Sequence, residues 1–159
     1  MKNVFLNYPD PSNVYSKMWK GVWKILAPSK IKIFMWRALH DALPTRAAIA
    51  HRLNHEDSCC KSCREKDEST LHMAALCPKE QEVWFISKLS LRLTYFNATS
   101  FRERWLLVWD LLKRETNSRN FISLALFTLW RIWKKRNDLI FNDISWTSEE
   151  VANKAEKDH

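Results

Sequence analysis

The segment SCCKSCREKDESTLHMAALCP, residues 58–78, holds all four cysteines of the chain and one of its five histidines. Such crowding indicates either a disulfide-linked loop or a metal site, because both bring side chains of this kind together. The residues on either side of the segment have helical patterns. We therefore predict a helical fold that is interrupted by this segment. The rest of the sequence has to distinguish between the two interpretations.

The composition favours helices over sheets. The chain has 159 residues, of which 46% are hydrophobic, so it can form the core of one ordinary domain or of two very small ones. It contains a single glycine, Gly21. Tight hairpin turns usually need glycine, and a sheet-rich fold with one glycine would be unusual. We therefore expect a mainly α-helical protein.

The charge and the apolar runs of the sequence indicate which partners and which cellular compartment to expect. The net charge is +8, with 26 Lys and Arg against 18 Asp and Glu, which favours polyanionic partners. The N-terminal MKNVFLNYPDP lacks the apolar region of a signal peptide, and the apolar run at 121–130 is about half as long as a membrane span. We expect an intracellular protein of the nucleus or cytoplasm, without membrane contact. Its thiols should stay reduced, which disfavours a disulfide.

The spacing within residues 58–78 suits zinc, which prefers four thiolate and imidazole ligands in a tetrahedron. Cys60 and Cys63 form a Cys-x2-Cys pair, and His72 and Cys77 supply the second pair. Ser69 can cap a short helix, TLHMAAL, that presents the histidine. Because residues five apart on an α-helix do not share a face, this helix should end before the last cysteine. We predict a zinc knuckle at residues 60–77.

Other ligand sets stay open at this point. Cys59 could replace Cys60, although two-residue spacing is the usual form of such a pair. His51 and His55 lie close upstream and could also substitute for a ligand. Inert buried thiols are a further alternative, but they explain the clustering poorly.

A structural role for the zinc is favoured over a catalytic one. Four protein ligands would fill the coordination shell, whereas a catalytic site keeps a position open. Glu65 and Glu68 lie within the loop, and we expect both to be solvated.

Prolines and polar breaks divide the remaining chain into helical segments. Ser29, Thr45 and Ser100 are predicted N-caps, and Thr147 begins a capping box for a last helix over 148–158. That last helix is polar, so we expect it to pack weakly and to fray. The other segments with helical periodicity are 13–26, 29–43, 46–53, 79–93, 101–115 and 119–141.

Seven motifs stand in a fixed order between residues 18 and 85: W-x3-W, P-x-K-I-x-x-F-x-W-R, L-P-T, C-K-S-C, E-S-T-L-H, C-P and V-W. This ordered set resembles the zinc-binding domain that follows the reverse transcriptase in polyproteins of plant non-LTR retrotransposons. The resemblance implies a module that helps the polymerase to hold template RNA or target DNA. In this chain the motifs begin at Trp19, Pro28, Leu43, Cys60, Glu68, Cys77 and Val83.

The sequence departs from that pattern in two places. Arg64 stands where a glycine commonly follows the second cysteine, and the doubled Cys59-Cys60 is unusual. Further along, LWRIWKKRNDLIFN at 129–142 resembles the linker before the ribonuclease H region of such polyproteins. We therefore predict a zinc-binding-like domain over 13–96 and a helical C-terminal extension over 97–159.

The chain lacks the residue patterns of the neighbouring enzymes. It has no Asp-Asp pair to hold polymerase metal ions, and nothing suggests the spaced acidic residues that a ribonuclease H carries on a sheet. We expect a non-catalytic piece of a polyprotein. The alternatives are a structural or protein-interaction module that docks on a reverse transcriptase domain, or a degenerate fragment without activity.

Basic residues supply the candidates for contact with RNA or DNA, because phosphate binding needs such charges. One group lies on the second helix, a second lies on the knuckle, and a third run at 131–136 is expected to face solvent. The predicted contact residues are Lys30, Lys32, Arg37, Lys61 and Arg64.

Overall fold

The computed structural model describes residues 11–159, and its regular elements are helices joined by loops. Within these residues there is no strand, and a single antiparallel bridge joins Cys59 to Asp67. A π-helical turn, called here the π turn, covers His72–Leu76, and a 3₁₀ turn covers Leu93–Tyr95. The prediction of a mainly α-helical domain is confirmed. The α-helices are α1 (Pro11–Lys24), α2 (Ser29–Leu39), α3 (Arg46–Leu53), α4 (Pro78–Ile86), α5 (Phe101–Leu112), α6 (Ser118–Asn142) and α7 (Ser148–Asp158).

The core forms around α6, in which residues 122–129 are buried on all sides, as their apolar sequence predicts. Phe34 of α2 packs edge-on against Trp130 and also contacts Trp133. Residues from both 13–96 and 97–159 contribute to the same core cluster, and the division into two parts stays a prediction. The cluster includes Met18 and Val22 of α1, Met73, Ala74 and Ala75 of the π turn, Trp84 of α4, and Trp105 and Val108 of α5.

The only glycine of the chain allows α1 and α5 to approach each other closely. A Cβ atom built on Gly21 would lie 2.4 Å from two ring atoms of Trp109. Real side-chain contacts are never that short, so any larger residue would push the indole aside. Glycine is unfavourable inside a helix such as α1. Its presence at position 21 is explained by the close packing of α1 against Trp109 of α5.

The predicted helix caps are mostly present. The side chains of Thr45, Ser100 and Thr147 each accept a hydrogen bond from the backbone N–H three residues further on. The prediction for Ser29 is wrong, because it is the first residue of α2 and Pro28 occupies the N-cap position without a side-chain hydrogen bond. Proline at that position still ends the preceding segment cleanly.

Four helices end earlier than their periodicity predicted. The first ends at Lys24 instead of residue 26, and the one predicted to reach residue 115 ends at Leu112. Two others fall short by more. The second helix was expected to reach Leu43 but ends at Leu39, and Asp41 then adopts a left-handed conformation with φ 52°. The helix after the knuckle was expected to reach residue 93 but ends at Ile86. There the hydroxyl of Ser87 donates to the Trp84 carbonyl over 2.8 Å, which competes with helical hydrogen bonding.

The expectation that the last helix packs weakly is wrong. Val151, Ala152 and Ala155 of α7 are buried, and the helix lies against α4 and α6. Small side chains allow the helix backbone to come close to its neighbours, so these three buried residues are enough to pack α7 against α4 and α6. An ion pair between Arg131 and Asp158 also holds the end of α7 on α6.

None of the helices in residues 11–159 combines the length and the apolar character that a membrane span requires.

Candidate metal centre

Four side chains from the two halves of the knuckle converge on one point. The ligand atoms of Cys60, Cys63, His72 and Cys77 all lie within 4.8 Å of one another, and residues 11–159 contain no second cluster of this kind. These are the four residues that the sequence spacing selects. Three thiols and an imidazole are a donor set that zinc prefers in proteins.

The distances within the cluster suit a tetrahedral ion. The sulfur atoms of Cys60 and Cys77 are 3.9 Å apart, and the sulfur of Cys63 lies 3.3 Å from Nε2 of His72. Zinc bonds of about 2.3 Å to sulfur and about 2.0 Å to nitrogen require separations of about 3.8 Å between sulfurs and about 3.5 Å between sulfur and nitrogen. The residues present therefore fit a zinc ion.

Backbone hydrogen bonds shape the first half of the knuckle. The N–H of Cys60 donates to the Lys66 carbonyl, and the Cys60 carbonyl accepts from the N–H of Arg64, both over 2.8 Å. Arg64 adopts φ 59°, in the left-handed region that favours glycine. A residue with a Cβ atom is strained in this conformation, which agrees with the glycine that the resemblance led us to expect at this position.

The π turn presents the second pair of ligands. The N–H of Cys77 donates to the carbonyl of His72 over 2.8 Å, five residues back, so these two ligands lie one turn apart. The Ser69 hydroxyl accepts from the N–H of His72 over 3.0 Å, as its predicted capping role requires. Trp84 donates its indole N–H to the Ala74 carbonyl over 2.8 Å and so supports the turn. The helical turn ends before Cys77, as predicted.

The other candidate ligands lie outside the cluster. All four cysteines belong to the described residues and are free, which disagrees with a disulfide. Cys59 is half-buried, and its sulfur lies 3.9 Å from the Cys60 carbonyl oxygen. His51 and His55 are exposed, and His55 accepts a hydrogen bond from the N–H of Asp57. The geometry therefore separates Cys60 from Cys59, which sequence spacing alone only favoured.

The thiols of the cluster influence each other strongly. The hydrogen bond between the sulfur atoms of Cys60 and Cys77 lowers the pKa of Cys60 to about 3, and the same bond raises the pKa of Cys77. The hydrogen bond to Cys60 also raises the pKa of His72. The Cys60 thiolate is thus available as a ligand, while an incoming metal ion must displace the proton of Cys77.

Two buried ion pairs join the knuckle region to α6. The carboxylate of Glu68 accepts from the guanidinium of Arg136, and the carboxylate of Glu80 accepts from Nζ of Lys135 at 3.1 and 3.2 Å. Burial raises the pKa of Glu80, and the charge of Lys135 opposes this shift. The expectation that Glu68 is solvated is wrong, because α6 covers it.

The same contacts correct the expected basic surface on α6. Lys135 and Arg136 were expected to face solvent within the run at 131–136, but both are buried against carboxylates. Arg131 is paired with Asp158, which leaves Lys134 as the exposed cation of the run. Sequence reasoning missed the partners of Lys135 and Arg136 because Glu80 and Glu68 lie 55 and 68 residues away in the chain.

The five predicted phosphate contacts fall into two groups. Lys61 and Arg64 are exposed on the knuckle, and Lys30 and Arg37 are exposed on α2. Lys32 is half-buried, because its ammonium donates to the Trp23 carbonyl over 2.9 Å and lies 5.4 Å from the centre of that indole ring.

Comparisons with known proteins agree with this site. Residues 2–84 match the family described as zinc-binding in reverse transcriptase, a range that includes all four clustered side chains. Over 124 residues, 77% of its length, the chain is 27% identical to a putative ribonuclease H protein of Arabidopsis thaliana, and it spans only 20% of that relative. No solved structure matches the chain.

Proposed function

Since this chain belongs to the family of zinc-binding domains in reverse transcriptases, we propose that Cys60, Cys63, His72 and Cys77 bind one structural zinc ion. The observation that supports this most strongly is the convergence of the four donor atoms within 4.8 Å of one another. A bound zinc ion would join the two halves of the knuckle at the point where α4 begins.

The module acts without catalysis in this proposal. Four protein ligands complete a tetrahedron, so zinc has no open position for a reacting water. The nearby carboxylates of Glu68 and Glu80 are paired with Arg136 and Lys135, and neither is free to act as a general base. The ribonuclease H name belongs to a relative of which the chain spans one fifth.

Metal analysis of the purified full chain tests the zinc assignment. We expect about one zinc per chain, since a tetrahedral site holds one ion. His72→Ala should abolish stoichiometric zinc, whereas His55→Ala, an exposed histidine outside the cluster, should retain it. Zinc retained by His72→Ala would contradict the assignment.

We further infer that the module helps a reverse transcriptase to hold template RNA or target DNA. The support is the net charge of +8 and two exposed basic groups, Lys61 and Arg64 on the knuckle and Lys30 and Arg37 on α2. Phosphate contacts of this kind act with little regard for base sequence. Binding should therefore be weak, general and strongly dependent on salt.

Fluorescence anisotropy with a labelled single-stranded oligonucleotide across a salt series tests this. Each phosphate contact should add about 0.7 to the slope of log affinity against log salt. The double variants Lys61→Glu, Arg64→Glu and Lys30→Glu, Arg37→Glu should weaken binding. The control Lys134→Glu, Lys157→Glu makes the same charge change on α6 and α7 and should weaken it less. If all three double variants weaken binding equally, the oligonucleotide is attracted by the net charge of the protein and not by the two predicted basic groups.

A docking module is the second candidate function. Leu26 is 97% exposed and Ile33 is half exposed, so apolar surface is available to a polymerase domain. The absence of oligonucleotide binding at low salt would favour this function over the first.

A further inference from the structure

Two tryptophans stay on the surface of a protein that buries others completely. Trp23 of α1 is 50% exposed and Trp36 of α2 is 44% exposed, whereas Trp84 and Trp105 are fully buried in the core. Burial of a large apolar side chain is favourable, so two such rings left in solvent on adjoining helices make this surface a candidate for contact with another molecule. We call this surface the α1–α2 face and define it by Trp23, Lys32, Trp36, Arg37 and His40.

Each ring on this face is held in a fixed orientation. The imidazole of His40 stacks on the indole of Trp36, with ring centres 4.2 Å apart and planes inclined by 27°. Nδ1 of His40 also lies 2.8 Å from the Trp36 carbonyl oxygen. The histidine thus covers one side of the indole, and the exposed area belongs to the rest of the ring.

Trp23 is oriented in a similar way by its neighbours. Trp19 meets it edge-on with ring centres 5.7 Å apart, and the ammonium of Lys32 lies over the ring while donating to the Trp23 carbonyl. Rings that are already ordered lose little conformational entropy when a ligand stacks on them.

The charge around these rings is of one sign. Residues 11–40 contain six Lys and Arg and no Asp or Glu. Within residues 11–159, none of the six forms an ion pair with a carboxylate. Protein interfaces are depleted in lysine, so this combination favours a polyanion over an apolar protein surface. The six are Lys17, Lys20, Lys24, Lys30, Lys32 and Arg37.

A cavity elsewhere in the fold is less suited to the same ligand. It has a volume of 540 Å³, lies between α4, α6 and α7, and is open to solvent. Lys79 and Trp146 line it together with the carboxylates of Glu82 and Glu149. Two carboxylates would repel a phosphate backbone, whereas the α1–α2 face carries none.

We propose that the α1–α2 face binds single-stranded RNA or DNA by stacking unpaired bases on Trp36 and Trp23. Arg37 and the two unused N–H donors of Lys32 neutralise adjacent phosphates. Aromatic platforms beside cations bind single strands in this way without reading sequence. The inference rests on the nucleic-acid part of the proposed function and adds the residues that hold the bases.

Three labelled probes test stacking on the unmodified, zinc-loaded chain: a single-stranded oligothymidine, the same length with abasic sites, and a duplex. The abasic strand keeps every phosphate, so it controls for charge. We expect the base-bearing strand to bind roughly 5- to 150-fold more tightly per stacked base than the abasic one, and more tightly than the duplex. Equal affinity for the base-bearing and abasic strands would overturn the proposal.

Substitutions then locate the platform. Trp36→Ala should weaken binding of the single strand by a similar factor and remove the preference for bases over abasic sites. Trp36→Phe should keep most of the affinity, and Trp36→Leu, apolar but not aromatic, should behave like Trp36→Ala. The control Phe141→Ala removes a ring that is 72% exposed near the C-terminal end of α6, outside the α1–α2 face. It should leave the affinity for the single strand unchanged. Zinc content and helical circular dichroism confirm that each variant is folded.

The outcomes separate this inference from the function on which it rests. If the unmodified chain binds no oligonucleotide at low salt, both fail. If it binds, and binding responds to Lys61→Glu, Arg64→Glu but not to Trp36→Ala, the nucleic-acid function stands and the stacking platform is refuted. Full affinity in Trp36→Leu would show that the ring is only an apolar contact.

Discussion

Arg136 of α6 and Glu68 of the knuckle form an ion pair that is almost completely removed from solvent, with exposed fractions of 4% and 1%. The guanidinium donates from Nε over 3.1 Å and from Nη2 over 2.6 Å. The same carboxylate accepts from the backbone N–H of Arg46 over 2.8 Å, at the start of α3. One acidic side chain therefore joins the knuckle, α3 and α6, which explains the acidic residue in the E-S-T-L-H motif.

Loss of this guanidinium should destabilise the whole domain. Arg136→Met keeps much of the side-chain volume but leaves the carboxylate of Glu68 buried without its partner. Breaking a buried pair in this way costs about 3–5 kcal/mol of the free energy of unfolding. Urea denaturation of the zinc-loaded protein, followed by circular dichroism, measures it.

The matched control is Lys134→Met, two positions earlier on the same helix and exposed. Surface changes of this type alter stability by less than about 0.5 kcal/mol. Equal destabilisation by the two variants would show that helix propensity, and not the buried pair, decides the result.

Local sequence signals account for the part of the fold and of the site that could be predicted. Helical periodicity and the caps at Thr45 and Thr147 depend on residues within one or two turns, and the structure contains them. The cysteines and the histidine of the knuckle are likewise close in the sequence, so their spacing was enough to predict that they cluster. These features need no information about the remainder of the chain.

The errors share a different cause. A charged residue on a helix normally faces solvent, so Lys135 and Arg136 were placed outside, yet each meets a carboxylate at least 55 residues away in the sequence. The polar α7 is held in place by small buried residues such as Ala155. How much such a residue stabilises the helix depends on the side chains that pack opposite it. A linear pattern contains no information about which partner will cover a given face.

Removal of zinc should disorder the knuckle while most helices persist. The core comes mainly from α1, α2, α5 and α6, and the knuckle adds only Met73, Ala74 and Ala75 from the π turn. Chelation should leave most of the helical circular dichroism and lower the midpoint of thermal unfolding, unlike small zinc fingers that unfold completely without metal.

A ligand-deficient protein controls for side effects of the chelator. Cys60→Ser, Cys63→Ser should start with the lowered midpoint and show no further change on chelation. If chelation abolishes the entire helical signal of the unmodified chain, the metal organises the core and our expectation is wrong.

The adjacent cysteines Cys59 and Cys60 should differ sharply in their effect on metal content. Cys60 is buried with its sulfur facing Cys77, while the sulfur of Cys59 lies outside the cluster. Cys59→Ser should keep about one zinc per chain, as a four-ligand site requires, and Cys60→Ser should lose most of it. The two variants make the same chemical change one residue apart, so each controls for the other. Zinc loss in Cys59→Ser alone would reverse the assignment.

The left-handed backbone at Arg64 predicts a gain in stability from glycine. A residue with a Cβ atom costs roughly 1–2 kcal/mol in this conformation, and glycine avoids that cost while losing about 0.4–1 kcal/mol through the greater freedom of the unfolded chain. Arg64→Gly and Arg64→Ala both remove the charge and the long side chain, and they differ only in the Cβ atom. The glycine variant should therefore be more stable by about 1 kcal/mol in urea denaturation of the zinc-loaded protein.

The same exchange at Lys61 shows whether this difference comes from the backbone conformation. Lys61 is exposed on the same knuckle but is not among the residues with positive φ. There Lys61→Ala should equal or exceed Lys61→Gly in stability, because glycine gains nothing in an ordinary conformation. If Arg64→Gly is no more stable than Arg64→Ala, the left-handed turn is not a source of strain.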